Sequence, residues 1–272
     1  MALFMRESIA VAELGACLLA VPLWPLGARG DGHPVLVLPG LLQSDISTLP
    51  LRMFLASRGY SVYGWGRGRN TGRADAIDRH LLKRVAELHA RHGRKVSLVG
   101  WSMGGVFARV LAHELAGSVR QVITLGSPFA GNPKASNAWR LYELLSGQSA
   151  DDCELSARFR APPGVPTTSV YSKKDGIVAW RTCLNEPGPQ AENIAVASSH
   201  CGMGFHPSVL FTIADRLAQP ESEWRPSAAR SRACGARRGG VEGGPARGGN
   251  RGESAGRASL AMRLSSARSL EA

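Results

Sequence analysis

Short apolar runs alternate with amphipathic stretches between residues 35 and 218 of the chain. The apolar runs predict six strands, at residues 35–38, 60–64, 95–99, 121–125, 167–172 and 193–197. The amphipathic stretches predict helices at residues 74–92, 103–116 and 207–218. Strands that are apolar throughout and separated by helices are typical of a parallel sheet buried on both faces. We therefore predict an α/β fold with a mainly parallel sheet of about six strands and helices on both faces.

One connection in this pattern is unusually long. Residues 127–166 exceed what a simple link between two strands requires, and they carry the apolar segment 139–145. We predict a small inserted cap at about residues 130–160, with a helix that covers one edge of the sheet.

The strongest chemical signal follows the third predicted strand. Residues Gly100–Gly105 read GWSMGG, which contains the pattern Gly-x-Ser-x-Gly between a strand and a helix that starts at Met103. Such a turn strains the serine backbone and exposes the hydroxyl at the edge of a parallel sheet. Side chains at Gly100 and Gly104 would collide with the neighbouring strand and helix. We predict Ser102 as a nucleophile.

An activated serine needs a base and an acid that orients the base, in the chain order serine, acid, histidine. Asp175 lies just after the strand at 167–172 and before a glycine turn, which puts it on the same edge of the sheet as Ser102. Asp151 and Asp152 follow no strand. We predict Asp175 as the acid.

Two histidines compete for the role of base. His200 comes directly after the last predicted strand, whereas His206 precedes a proline that begins the closing helix. We predict His200 as the base and keep His206 as the alternative. The neighbouring Cys201 reads as a small buried apolar residue rather than a second nucleophile.

Two backbone amides are expected to complete this chemistry. The helix that follows Ser102 directs its free N–H groups at the reaction centre, so the amide of Met103 can hold an oxyanion. A second donor is expected from the loop after the first strand, and we predict the amide of Leu41, beside Gly40.

These segments together resemble the α/β-hydrolase superfamily and are similar to bacterial lipases and carboxylesterases. The resemblance covers about residues 32–219 and rests on five segments: Leu38–Leu41, Gly100–Gly105, Thr124–Pro128, Asp175–Gly176 and Ser199–Met203. It implies ester hydrolysis without a metal or an organic cofactor. Trp101 stands where such lipases often carry histidine, so the difference concerns the substrate.

The resemblance implies a carboxylesterase or lipase that acts on a small-molecule or lipid ester. We predict Trp139 and Leu145 as substrate contacts, because the cap segment has apolar side chains with no place in the core of the sheet, and Trp101 because it flanks Ser102. An acyltransferase on the same fold is one alternative. The other is a non-catalytic protein that binds nucleic acid through a basic tail.

Three segments are predicted from composition. Residues 1–31 form an N-terminal apolar helix, residues 32–220 the hydrolase domain, and residues 221–272 a disordered tail rich in arginine and glycine. The tail carries ten arginines and five glutamates, hence +5 of the net charge of +12. A solvated tail is the simpler reading of this charge, and we expect no nucleic-acid partner for the core domain.

The location and the redox state are less constrained by the sequence. Glu13 interrupts the apolar stretch 9–24, so we predict a helix packed on the domain of a cytoplasmic protein. An export signal, an anchor or contact with a membrane surface is the alternative. The five cysteines lack the spacing of a metal site, and Cys153 could pair with Cys183 in an oxidising compartment.

Overall fold

The sheet is parallel throughout. The computed structural model describes residues 7–73, 77–131, 133–135, 139–147, 149, 160 and 162–227. Its strands are β1 (Pro34–Leu38), β2 (Ser61–Gly64), β3 (Val96–Trp101), β4 (Val119–Leu125), β5 (Thr167–Ser172) and β6 (Ala191–Val196). They form one sheet of six strands in the order β2-β1-β3-β4-β5-β6, and every neighbouring pair is parallel. The predicted fold class is confirmed.

Helices lie between most of the strands. They are α1 (Ile9–Leu19), α2 (Leu49–Ser57), α3 (Leu82–His92), α4 (Met103–Glu114), α5 (Trp139–Ser146) and α6 (Pro207–Leu217). The helix predicted at 74–92 is composite, because a π-helical turn over Ile77–Leu81 precedes α3. Helix α2 was not predicted from the sequence.

The two faces of the sheet bury separate clusters. Alternate side chains of β1, such as Val35 and Val37, face α2 and α6, whereas Leu36 and Leu38 face α3 and α4. All five residues of β1 and all seven of β4 are buried, as expected for central strands covered on both sides. The core therefore fixes the carboxyl ends of the strands, where the predicted site residues lie.

The N-terminal segment packs on the domain. Helix α1 buries Glu13 and Cys17, and a 3₁₀ segment over Val21–Leu26 follows it. The apolar helix predicted at 9–24 thus ends at Leu19, where a stretch with two prolines begins. None of the helices in the described ranges is long and apolar enough to cross a membrane.

The domain extends further than predicted at its C-terminal end. Glu221 accepts an ion-pair contact of 2.9 Å from Lys95, and the Ser227 amide donates to a carboxylate oxygen of Glu192 at 2.7 Å. Residues 221–227 are therefore held on the domain rather than forming part of a tail. The rest of the predicted tail, residues 228–272, and Asp151, Asp152 and Cys153 of the predicted cap lie outside the described residues.

Candidate active site

Ser102 occupies a strained turn between β3 and α4. Its backbone has φ 53° and ψ −121°, in the left-handed region that side chains rarely adopt. The turn can form because a Cβ at Gly100 would overlap the backbone of Gly104 and Gly105, and one at Gly104 would overlap the carbonyl of Leu38. Only glycine lets α4 start this close to the sheet. The elbow has the packing expected from the sequence.

Asp175 and His200 meet at the carboxyl ends of β5 and β6. The Nδ1 atom of His200 lies 2.7 Å from Oδ2 of Asp175, and both residues are buried. The other carboxylate oxygen, Oδ1, accepts hydrogen bonds from the amides of Ile177 and Val178 at 2.8 and 2.7 Å. These two amides fix the carboxylate, so the imidazole is oriented by a group that cannot easily rotate.

The elbow and the acid–histidine pair are connected through the end of β4. The Ser102 amide donates to the Leu125 carbonyl at 2.8 Å. The next residue, Gly126, has φ 54°, and a Cβ there would lie 3.2 Å from both Asp175 Oδ2 and His200 Nδ1. The predicted nucleophile and the acid–histidine pair therefore lie on the same edge of the sheet.

The loop after β1 presents the predicted oxyanion donor. Asn70 is buried and holds this loop. Its side-chain Nδ2 donates to the Pro39 carbonyl at 2.8 Å, and its backbone carbonyl accepts from the Leu42 amide at 2.7 Å. The Gly40 amide is occupied by the side chain of Gln43. Within the part of the chain that the structure describes, the amides of Leu41 and Met103 have no protein acceptor.

Trp101 does not fit the predicted role of substrate contact. Its side chain is only 3% exposed and packs in the core beside Gly204, and its Nε1 donates to the His200 carbonyl at 3.1 Å. The reason is that β3 continues through Trp101, so the side chain points into the core instead of the cleft. Trp101 supports the backbone of His200.

The other predicted substrate contacts lie on α5. Trp139 and Leu145 are half-buried, and Trp139 has the cationic groups of Lys134 and Arg140 each 5.1 Å from its ring centroid. A Cβ at Gly72 would lie 3.0 Å from the side chain of Leu41 and 3.1 Å from the ring of Tyr142. Tyr142 thus brings α5 next to the loop of Leu41.

His206 has a local structural role. It is the N-cap of α6, and its Nδ1 accepts a hydrogen bond from the Ser208 amide at 3.2 Å. His206 therefore occupies the helix-entry position that the sequence allowed. Cys201 is half-buried, and burial together with the carboxylate of Glu7 raises the pKa of its thiol to about 12. A thiol with such a pKa is a poor nucleophile near neutral pH.

Two glutamates from the N-terminal segment reach this edge of the sheet, and sequence reasoning missed both. Glu7 accepts hydrogen bonds from the amides of Gly176, His200 and Cys201 at 2.9, 3.1 and 2.8 Å. Burial raises the pKa of its carboxyl, but these bonds outweigh burial and hold it below the usual value. Glu13 accepts from the amide and the hydroxyl of Ser199. For Glu13, the one available signal in the sequence was its position as a charged residue inside an apolar helix.

Hydrogen bonds link Ser97, His33 and Asp31 at the opposite edge of the sheet. Ser97 Oγ is 2.8 Å from Nε2 of His33, whose Nδ1 contacts Asp31 Oδ1 at 2.5 Å. Ser97 and His33 are completely buried. Burial and the charge of Arg120 lower the pKa of His33 to about 4, so its ring is neutral near pH 7. Because no substrate can reach Ser97, this chain is structural.

No group of three or more metal-binding side chains occurs among the residues that the structure describes.

The chain has the α/β-hydrolase fold, and part of its sequence is similar to known hydrolases. The family model that matches is the PGAP1-like alpha/beta domain, over residues 74–177, which include Ser102 and Asp175. A human protein, serine hydrolase BPHL, is 32% identical over 108 residues, which are 36% of this chain and 37% of that protein. The chain thus spans about a third of the length of this relative.

Solved structures show the same fold at low sequence identity. Aspergillus fumigatus lipase B has a TM-score of 0.60 and 16% identity, over 74% of this chain and 55% of that one. Bacillus licheniformis lipase BlEst2 has a TM-score of 0.52 and 16% identity, over 71% of this chain and 94% of that one. These likenesses establish a lipase- and esterase-like hydrolase fold.

Proposed function

We propose that the protein is a serine hydrolase that cleaves carboxylic esters through an acyl-enzyme on Ser102. One observation carries this proposal. A serine at φ 53° lies one hydrogen bond from the end of β4, where Gly126 leaves room for the buried Asp175–His200 pair. Backbone strain of this kind persists where the surrounding structure enforces it, and it is concentrated at functional sites.

The roles follow from the contacts of each group. Because Nδ1 of His200 is engaged by Asp175, its Nε2 remains to accept the proton of the Ser102 hydroxyl as the oxygen attacks the ester carbonyl. The histidine then returns that proton to the departing alcohol, and the acyl group stays on Ser102. Water attacks the acyl-enzyme by the same route, which releases the acid and restores the serine.

The tetrahedral oxyanion of each step needs donors that are already in position. The amides of Leu41 and Met103 suit this role because, in the described chain, they have no competing acceptor. Asn70 and Gln43 hold the loop of Leu41 from both sides, which reduces the reorganisation required at the moment of reaction.

We infer a substrate with an apolar acyl group, bound between the elbow and α5. The supporting observation is that the side chains of Tyr142 and Leu41 both lie close to Gly72, which puts the cap helix beside the loop of Leu41. Several apolar side chains of α1 and α2 are also exposed, including Val11, Leu19 and Met53, which fits a lipid ester presented at a membrane surface. A profile of p-nitrophenyl esters from acetate to palmitate, with and without vesicles, tests both ideas. Preference for acetate alone would contradict the apolar acyl pocket. Hydrolysis rates that vesicles do not change would contradict the presentation of the substrate at a membrane surface.

A fluorophosphonate probe tests the nucleophile. The hydrogen-bonded chain of Ser97, His33 and Asp31 supplies a matched control. We expect the wild type and Ser97→Ala to label, because Ser97 is buried, and Ser102→Ala to remain unlabelled. Equal labelling of Ser102→Ala and wild type would refute the assignment.

The alternatives give different results in the same assays. An acyltransferase would partition the acyl group of the ester to an added alcohol, whereas a hydrolase would release the free acid. A non-catalytic protein would leave all esters intact and lose RNA binding when residues 228–272 are deleted.

A further inference from the structure

The carboxylate of Glu7 joins the backbones of the predicted acid and base. Its Oε1 accepts from the amide of Gly176, the residue after Asp175, at 2.9 Å and from the amide of His200 itself at 3.1 Å. Its Oε2 accepts from the Cys201 amide at 2.8 Å. One side chain therefore connects the loop after β5 with the loop after β6.

These contacts differ in kind from those of Glu13. Glu13 binds the amide and hydroxyl of Ser199, and Ser199 Oγ in turn accepts from the Gly202 amide at 3.0 Å, so all these partners belong to the loop after β6. Glu13 anchors α1 to the histidine loop alone. Glu7 is instead bonded to both loops.

The Asp175–His200 bond depends on the distance between the two loops. The carboxylate is fixed within its own loop by the amides of Ile177 and Val178, so it cannot follow a histidine that moves. The backbone of His200 is also held by Nε1 of Trp101, which donates to its carbonyl at 3.1 Å. Displacement of a catalytic group by about 1 Å can cost roughly 100-fold in rate.

We propose that Glu7 is a positioning residue for the Asp175–His200 pair, whose loops it holds at the separation that catalysis requires. The inference rests on the proposed serine hydrolase function. It assigns to the N-terminal segment a part in the chemistry rather than a purely structural packing role. Glu7 acts through the backbone of the two loops and does not touch the reacting atoms.

Three variants separate positioning from packing. Glu7→Gln keeps the size of the side chain but replaces one acceptor oxygen by an NH₂ group that faces amide donors. Glu7→Ala removes all three hydrogen bonds, and Glu7→Asp retains the charge on a shorter side chain. Cys17→Ala is the packing control, because Cys17 lies on α1 in the core and makes none of these contacts. Glu87→Gln is the charge control, since the one polar contact of Glu87 within the described residues is an exposed pair with Lys83 at 3.6 Å.

The measurements are kcat and KM with a p-nitrophenyl ester, and hydrogen exchange at the amides of Gly176, His200 and Cys201. We expect kcat to fall about 10-fold in Glu7→Gln and about 100-fold in Glu7→Ala, with KM changed less than about twofold. Glu7→Asp should recover part of the loss. The three amides should exchange faster in step with the loss of kcat, whereas both controls should keep wild-type kcat.

Two results would overturn the inference while leaving the proposed function intact. One is faster exchange of the three amides with unchanged kcat, and the other is an equal loss of kcat in Cys17→Ala. A wild type that neither reacts with the fluorophosphonate nor hydrolyses any ester would instead overturn the proposed function, and the inference with it. Labelling of the wild type therefore distinguishes the two failures.

Discussion

Nδ1 of His200 lies 2.7 Å from Oδ2 of Asp175, although the two residues are 25 positions apart in the sequence. The contact forms because β5 and β6 are parallel neighbours whose carboxyl ends meet at one edge of the sheet. His206, six positions further along, is already committed to the start of α6. These contacts favour His200 over His206 as the proposed base.

Replacing His200 by alanine is expected to lower kcat by about three orders of magnitude, as for loss of a general base. His206→Ala should cost much less kcat and about 1 kcal/mol of stability, since it removes an N-cap. Ester hydrolysis and urea unfolding measured on both variants check the ranking. The reverse order in kcat would assign the base to His206.

Gly126→Ala should reduce kcat, whereas a glycine substitution with the same backbone strain elsewhere in the chain should reduce stability alone. The new Cβ would lie 2.8 Å from Met203 Sδ and 3.2 Å from both members of the Asp175–His200 pair. Gly93→Ala is the matched control, because Gly93 has a similar φ of 59° but open space around it. Both variants should lose about 1–2 kcal/mol from backbone strain, and only Gly126→Ala should lose kcat, by about 10-fold or more. Equal kcat in the two variants would contradict the prediction.

Stability should decrease as the pH falls from about 6.5 to about 4, and His33 should account for part of the decrease. The pKa of His33 is lowered to about 4 in the folded protein from an ordinary value of 6.5, so the unfolded chain binds the proton more readily over this window. The full stability is present above the ordinary pKa and is lost toward the folded pKa. His33→Gln should lower the overall stability but flatten its dependence on pH. Urea midpoints at several pH values test this, and an unchanged slope would refute it.

Arg216→Met should cost about 3–5 kcal/mol because it leaves the buried carboxylate of Glu192 without its cation. The side chains of this pair are 2% and 5% exposed, and Arg216 Nη1 lies 3.2 Å from Oε1 of Glu192. Thermal unfolding should show a decrease in Tm of about 10 °C. Adding Glu192→Gln should restore part of it.

The exposed pair of Lys83 and Glu87 supplies the comparison for that experiment. Lys83→Met should change stability by less than about 1 kcal/mol, because solvent screens this pair. A similar loss in Lys83→Met and Arg216→Met would show that burial does not govern the cost.

The strands and the elbow could be predicted because their signals are local. Apolar runs located each strand within a few residues, and the spacing of Gly100, Ser102 and Gly104 reported the packing around the turn. Trp101 was misassigned because its direction depends on where β3 ends, which the apolar pattern did not give. Helix α2 was missed because proline follows Leu49 at its start, a position that reads equally well as a loop. The contacts of Glu7 could not be predicted, since its partners are backbone amides, which every sequence contains.

The bonds of Glu7 and Glu13 also have a consequence for folding. They join residues separated by up to 194 positions, so a segment that is synthesised well before β6 reaches its partners only after β6 has formed. Contacts of such long range form late and slow the folding of a domain. We therefore expect the sheet to form before Glu7 and Glu13 reach their partners at its edge. A refolding chain should recover secondary structure earlier than reactivity toward an ester.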